Sequence, residues 1–355
     1  MRIAYVVPEL HKNGGIQEFA KSIYSELRKK FDIQILDWKN DLSLPVKGIL
    51  RYSPPKIGDL LYSNLFSKHF KEKYKAIDRA DLIHFWHLDP AIAFLDKRYI
   101  VTCHGMELLP ANTKGFRKLF YPKVLNNAFL IHANSNFTKN LIIKLFNIPP
   151  RKIKVINPPI DYGKFAKTEH KTAKDKVIIG TLTRFNRRKN VPNTIKALNI
   201  LKGKYNLDFK YYLVGDGREK ERILSELDRA KFEWQYLGEI SEDEKINHFY
   251  PSLDVFVMPP LDLPNDIEGF GIVYLEANAC GVPVVAARTG GVPDAVREGV
   301  SGVFADPTNP EDIATKILEL IENKEKCEKS TKEWARQFDV KNIAARFTDA
   351  ISEIA

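Results

Sequence analysis

Cysteine is scarce, and the scarcity excludes two classes at once. Cys103, Cys280 and Cys327 are scattered and odd in number, so neither a disulfide framework nor a zinc-ligand spacing is present. Cys103 and Cys280 stand in apolar surroundings that suit buried, inert thiols. No apolar run approaches the ~20 residues that a membrane span requires. The opening MRIAYVVPEL enters a strand-like run with no basic leader, so a cytoplasmic location is expected. The dinucleotide fingerprint G-x-G-x-x-G is also missing. Gly14-Gly15 lacks its pattern and Gly215–Gly217 lacks the third glycine, which disfavours a nicotinamide dehydrogenase. No Asp-x-Asp pair occurs anywhere, so no metal ligand is nominated. Zinc-finger, RNP-like and helix-turn-helix signatures are lacking too, and nucleic acid is not an expected partner.

Positive charge is plentiful but unevenly placed. Residues 1–165 hold 27 Lys and Arg against 14 Asp and Glu, while the rest hold 28 against 31. A basic first half could attract an anionic membrane surface or a phosphorylated lipid. The alternative is a solvated lysine-rich face.

At 355 residues the chain suits two domains rather than one core. Short β-branched runs alternate with amphipathic stretches, which predicts α/β units with mainly parallel sheets. Strands are expected at Arg2–Val7, Ile33–Leu36, Leu82–Phe85, Tyr99–Cys103 and Phe129–Ala133. In the helical stretch between the first two, Phe19, Ile23 and Leu27 recur every four residues. The prolines Pro158 and Pro159 block a helix and favour an extended crossing. A polar linker, Lys167–Lys176, precedes a second alternation of strands and helices. Domains are expected at 1–165 and 166–337, with a terminal helix over 338–355. Two doubly wound, Rossmann-like domains facing a central cleft would bind ligands at the carboxyl ends of their strands.

Four stretches carry chemistry. Gly14-Gly15 follows the first strand, where backbone N–H groups of a helix start could meet an anion, although a tight turn alone would look the same. TLTRFNRRKN, Thr181–Asn190, holds Arg184, Arg187, Arg188 and Lys189 between a strand and a helix. Fixed cations there would suit a leaving diphosphate; a solvated basic loop is the plainer alternative. In EGFGIVYLEANACGVPVVA, Glu268 and Glu276 bracket a helix starting near Gly271. A carboxylate accepts from two adjacent hydroxyls, so a sugar diol is a natural partner for Glu276, against an exposed helix carboxylate. His104, in TCHGMELLP, stands at a strand end, where a histidine is often structural.

With these residues in view, the chain resembles the retaining, nucleotide-sugar-dependent glycosyltransferases of family four, also called group 1, with the GT-B fold. The likeness is strongest over Val177–Asn323. Its most specific element is E-x7-E, here Glu268 and Glu276, followed by TGGVPDAV and GVSGVFADPTNPEDIA. The resemblance implies that Glu276 binds the donor's ribose hydroxyls and that Glu268 holds a hydroxyl of the donor sugar. N–H groups near Phe270, Gly271 and Ile272 would meet its phosphates, with Arg184 and Lys189 as phosphate ligands. Gly215 would join the donor-binding set, Gly15 would line the first-domain side, and His104 would reach the donor sugar near the reacting centre. Thr183 and Asn190 stand where the family usually has glycine, and NPPID replaces a commoner Asn-Gly.

The implied reaction moves a hexose-type sugar from a UDP or GDP donor to an acceptor hydroxyl, with retention as an α-linkage and no metal or other cofactor. The terminal helix would pack back on the first domain, as in the family. A nucleotide-sugar epimerase or hydrolase, or a non-catalytic sugar-nucleotide-binding protein, are the alternatives. The acceptor is not readable. Basic, aromatic stretches at Arg51–Lys75 and Thr113–Leu125 could rest on the inner face of a membrane beside a lipid-linked or glycan acceptor, or pack their apolar residues in the core.

Overall fold

The computed structural model describes residues 1–10, 14–38, 75–167 and 176–353. Two compact units result: Met1–Pro159 with Val340–Ala355, and Ile160–Asp339. The stretch 51–74 lies outside the described residues, as does most of the expected linker.

The first unit is built on an all-parallel sheet of β1 (Arg2–Val7), β2 (Asp32–Asp37), β3 (Leu82–Phe85), β4 (Tyr99–Cys103), β5 (Leu130–Ala133) and β6 (Ile153–Val155), in the order β2-β1-β3-β4-β5-β6. Every position of β3, β4 and β5 is buried. Strands covered on both faces read as continuous apolar runs rather than alternating ones. The helix Gly15–Leu27 turns Phe19, Ala20, Ile23 and Leu27 inward. Against it packs the helix Val340–Ser352, whose Ile343, Phe347 and Ile351 share a core with Phe19, Ile23 and Trp86.

The second sheet joins β7 (Val177–Leu182), β8 (Phe209–Val214), β9 (Glu233–Tyr236), β10 (Val255–Val257), β11 (Val284–Ala286) and β12 (Gly302–Phe304), in the order β12-β11-β10-β7-β8-β9. Its helices carry local start signals. Pro310–Glu322 begins with Pro310 at its first position, and the Asn309 side chain accepts from the N–H groups of Glu311 and Asp312. Two acidic residues in that first turn complement the helix dipole.

The chain passes between units at Pro159–Ile160, earlier than residue 165. Ile160 and Phe165 are both buried in the second unit's core, and the Ile160 N–H donates to the Phe338 carbonyl (2.9 Å). Strand order reverses between β1 and β3 in the first sheet and between β7 and β10 in the second. The carboxyl ends flanking such a reversal are where open α/β sheets bind ligands.

Candidate active site

Beyond β7 the chain runs through Thr183–Asn190 and makes one 3-10 turn, Arg187–Lys189, whose last N–H donates to the Asn186 side chain (3.1 Å). Asn190 follows in the left-handed region, at φ 59°. Asparagine tolerates that conformation better than most residues, which explains how it replaces the glycine of the family pattern. Its amide donates to the carbonyls of Pro259 (3.0 Å) and Pro307 (2.7 Å), tying this loop to those after β10 and β12.

The loop after β10 brings in Glu268, which is buried. One carboxylate oxygen accepts from Lys189 Nζ (2.6 Å) and from Arg188 Nη1. Arg188 Nε also donates to Asp266 (2.7 Å). Burial alone would raise the Glu268 carboxyl, but Lys189 and Arg188 outweigh it and hold the group below the usual carboxylate range. Burial draws Lys189 below the ordinary lysine value, with Glu268 opposing. With Asp266 on Arg188, two carboxylates face two cations, so the charges of the cluster balance and Lys189 is drawn down chiefly by burial. The main chain of Glu268 is gripped from behind. Its carbonyl accepts from the Gly291 N–H (2.8 Å), and a Cβ on Gly290 would lie 2.1 Å from the same oxygen.

Gly271, at φ 93°, directly precedes the helix Ile272–Ala279. A Cβ there would strike the Tyr274 ring. The first N–H groups of that helix lack intrahelical acceptors and form an anion-favouring end. The Phe270 side chain is buried near Phe338, ring centroids 6.0 Å apart, so only its backbone is available to a ligand. Further along, Glu276 is buried as well. Its two oxygens accept separately from Lys245 Nζ (2.7 Å) and the Tyr250 hydroxyl (2.7 Å), and each retains acceptor capacity for another donor. Burial, reinforced by Glu276, pushes the Tyr250 hydroxyl well above its ordinary value, so it stays protonated and donating.

In the first unit His104 follows β4. Its backbone N–H donates to the Glu107 carboxylate (2.6 Å), and its ring Nε2 lies 3.1 Å from the Trp86 carbonyl. A carbonyl only accepts, so Nε2 carries the hydrogen and Nδ1 holds a lone pair. Burial lowers this histidine to about 4, against the Trp86 hydrogen bond, so the ring is neutral near pH 7.

Two family models match the chain: Glycosyltransferase Family 4 over residues 13–164 and Glycosyl transferases group 1 over residues 164–337. The chain belongs to the group 1 glycosyltransferases of family four. Among its relatives is a GDP-mannose-dependent alpha-(1-6)-phosphatidylinositol monomannoside mannosyltransferase of Mycolicibacterium smegmatis, 31% identical over 242 residues. That match covers 63% of this chain and 61% of the relative, which is less than two thirds of its length. An uncharacterized glycosyltransferase of Methanocaldococcus jannaschii is 26% identical over 88% of this chain and 86% of its own. In fold, the chain is similar to Anabaena HepE in complex with UDP, with a TM-score of 0.76 at 19% identity over 99% of this chain and 100% of that one. The two sheets are the Rossmann-like halves of a GT-B glycosyltransferase.

Within this glycosyltransferase, Lys189 and Glu268 meet directly. Arg188, which sequence reasoning counted among the loop cations without a role, is the second cation on Glu268. Arg184 is exposed and makes no ion pair among the described residues. Gly215 follows β8; its N–H donates to the Gly238 carbonyl (2.8 Å) and its carbonyl accepts from Tyr236 (2.9 Å). Gly15 is the exposed first residue of its helix, with open space where a side chain would stand. Asp266, Lys245 and Tyr250 were missed. Asp266 stands two residues before the E-x7-E pattern, whereas Lys245 and Tyr250 belong to no motif and reach Glu276 from 31 and 26 residues away.

Proposed function

We propose that this glycosyltransferase is a retaining hexosyltransferase that draws its sugar from a nucleoside diphosphate and gives an α-linkage without a metal. The observation that supports this most is the pair of buried carboxylates beside the sheet reversal, one under two cations and the other between a lysine and a tyrosine. In this reading Glu276 accepts from the ribose diol and Glu268 from a hydroxyl of the donor sugar. Arg184, Arg188 and Lys189, with the N–H groups at Gly271 and Ile272, take up charge as it develops on the departing diphosphate. The bond from the anomeric carbon to the phosphate oxygen breaks as a bond to the acceptor oxygen forms on the same face. The acceptor proton passes to the leaving phosphate. Neutral His104 offers its Nδ1 lone pair to a sugar hydroxyl.

Thermal unfolding in EDTA with UDP, GDP and their hexose conjugates tests the donor. The M. smegmatis relative's name makes GDP-mannose the first to try. Ligand at about 100 times its dissociation constant stabilises by ~2.7 kcal/mol, a rise of several degrees. That rise is expected for one nucleotide and is expected to vanish in Glu276→Ala. No rise with any nucleotide, with or without magnesium, removes the donor reading.

We further propose that the first unit meets an anionic bilayer carrying the acceptor. No described helix is long and apolar enough to cross a membrane. On the helix Phe116–Asn127, Tyr121, Val124 and Leu125 are buried, but Leu119 is 64% exposed beside exposed Lys118 and Lys123. Co-sedimentation with phosphatidylglycerol vesicles at low salt is expected and is expected to fall in Leu119→Glu. Absence of binding at low salt removes this proposal.

A further inference from the structure

We infer that the π-turn Lys245–Phe249 makes Lys245 and Tyr250 positioning residues, which hold Glu276 in one rotamer for the ribose diol. The inference rests on the reading of Glu276 as the ribose ligand.

Lys245 and Tyr250 are five residues apart, yet they bond the two oxygens of one carboxylate. On a regular α-helix residues five apart are rotated by about 140°, onto different faces. The i→i+5 pattern of a π-turn brings such residues back onto one side. That pattern is present here, because the Tyr250 N–H donates to the Lys245 carbonyl.

Both ends of the segment are anchored, so the extra residue is confined between them. At the start, Ser241 and Glu244 form a reciprocal cap, with the Ser241 N–H on Glu244 (2.8 Å) and the Glu244 N–H on the Ser241 hydroxyl (3.2 Å). At the other end Pro251 and Leu253 are buried. The Phe165 ring steadies both donors: Lys245 Nζ lies 5.5 Å from its centroid and the Tyr250 ring 6.2 Å. The turn also borders a cavity of about 390 Å³ lined by Tyr212, Ile240, His248 and Phe249. Within the turn Ile246 and Phe249 are buried in the core of the second unit, while Lys245 and Tyr250 converge on the carboxylate.

A carboxylate held by two donors keeps its remaining lone pairs in fixed directions. Free to rotate, it would lose orientational entropy on meeting the diol. The two residues should thus act on affinity only when the ligand has ribose hydroxyls.

The test measures, by calorimetry, binding of UDP and GDP and of their 2′,3′-dideoxy counterparts to wild type, Tyr250→Phe, Lys245→Met and a deletion of exposed Asn247. Wild type is expected to prefer the ribonucleotide. Tyr250→Phe and Lys245→Met should each weaken it by roughly tenfold, as for loss of a hydrogen bond to a charged group, and leave the dideoxy form nearly unchanged. The deletion, which removes the residue the π-turn accommodates, should behave as the two substitutions combined. Equal losses on both ligands, or an unchanged ribose preference, overturn the inference and leave the donor reading standing. Failure of wild type to bind any of the nucleotides overturns both.

Discussion

Glu268→Ala is expected to lower the melting temperature of the second unit by about 10 °C. The carboxylate is the anion on which Arg188 and Lys189 converge, and all three side chains are largely buried. Removing one partner of a buried ion pair costs ~3–5 kcal/mol, because the remaining charge stays desolvated and unpaired. For a unit of this size each kcal/mol moves the midpoint by roughly 2–4 °C. Glu268→Gln, which keeps an acceptor of the same shape, should fall between wild type and alanine. Pyrophosphate should recover part of the loss, since an anion can occupy the position of the missing carboxylate. The wild-type contribution should also depend on pH. Glu268 is held below its ordinary value, so its stabilisation is present above the unfolded carboxylate pKa and is lost as pH falls through the folded one. A midpoint within about 2 °C of wild type at pH 7.5 would show that the cluster contributes little to folding.

The first unit should weaken steeply in mild acid. His132 Nε2 donates to the Ile156 carbonyl (2.7 Å), so its Nδ1 accepts from the Thr102 hydroxyl (3.0 Å). The Thr102 oxygen in turn accepts from His84 Nε2 (2.7 Å). This directed chain crosses β5, β4 and β3 and leaves His84 Nδ1 buried without a hydrogen-bond partner. Aromatic rings surround it: Trp86 is stacked at 4.9 Å and Tyr5 is edge-on at 5.1 Å. Burial pulls His132 down to about 3, and burial, with His132 and His104 adding, pulls His84 well below its ordinary value. Between those folded values and the ordinary 6.5, the unfolded chain binds more protons than the folded one, so stability rises with pH. It is complete above about pH 6.5 and declines below, by ~1.4 kcal/mol per pH unit for each histidine. At pH 5, about 1.5 units below the ordinary value, His132 alone should cost ~2 kcal/mol, and His84 acts in the same direction. Urea midpoints of the first unit at pH 7.5 and 5 read this directly. His132→Gln should remove about one proton's worth of the slope; a wild-type midpoint independent of pH would refute the account.

Much of this architecture was legible because parallel strands declare themselves. Arg2–Val7, Leu82–Phe85 and Tyr99–Cys103 lie where their apolar runs put them, and Pro310 marks its helix start through proline's fixed φ. Less was legible where geometry is set by contacts distant in sequence. β6 was hidden because the prolines after it dominate the local signal, and its pairing depends on β5. Glu268 and Glu276 were visible through their spacing and the small residues around them. Their partners were harder to assign. Several cations compete in Arg184–Lys189, and only the fold of the 3-10 turn decides that Arg188 joins Lys189 on Glu268. A π-turn escapes any search for 3.6-residue periodicity, so Lys245 and Tyr250 stayed hidden.

The first unit is discontinuous, and this bears on how the chain matures during synthesis. Phe19 and Phe347 lie 6.0 Å apart between ring centroids, although the whole second unit is translated between them. Chains emerge from the ribosome at about 5–20 residues per second, so Ile160–Asp339 is complete before the helix bearing Phe347 appears. For tens of seconds the apolar face made by Phe19, Ile23 and Trp86 therefore lacks its cover. The unit that begins first is the unit that finishes last, and that interval is when a nascent chain of this protein most needs shielding from its neighbours.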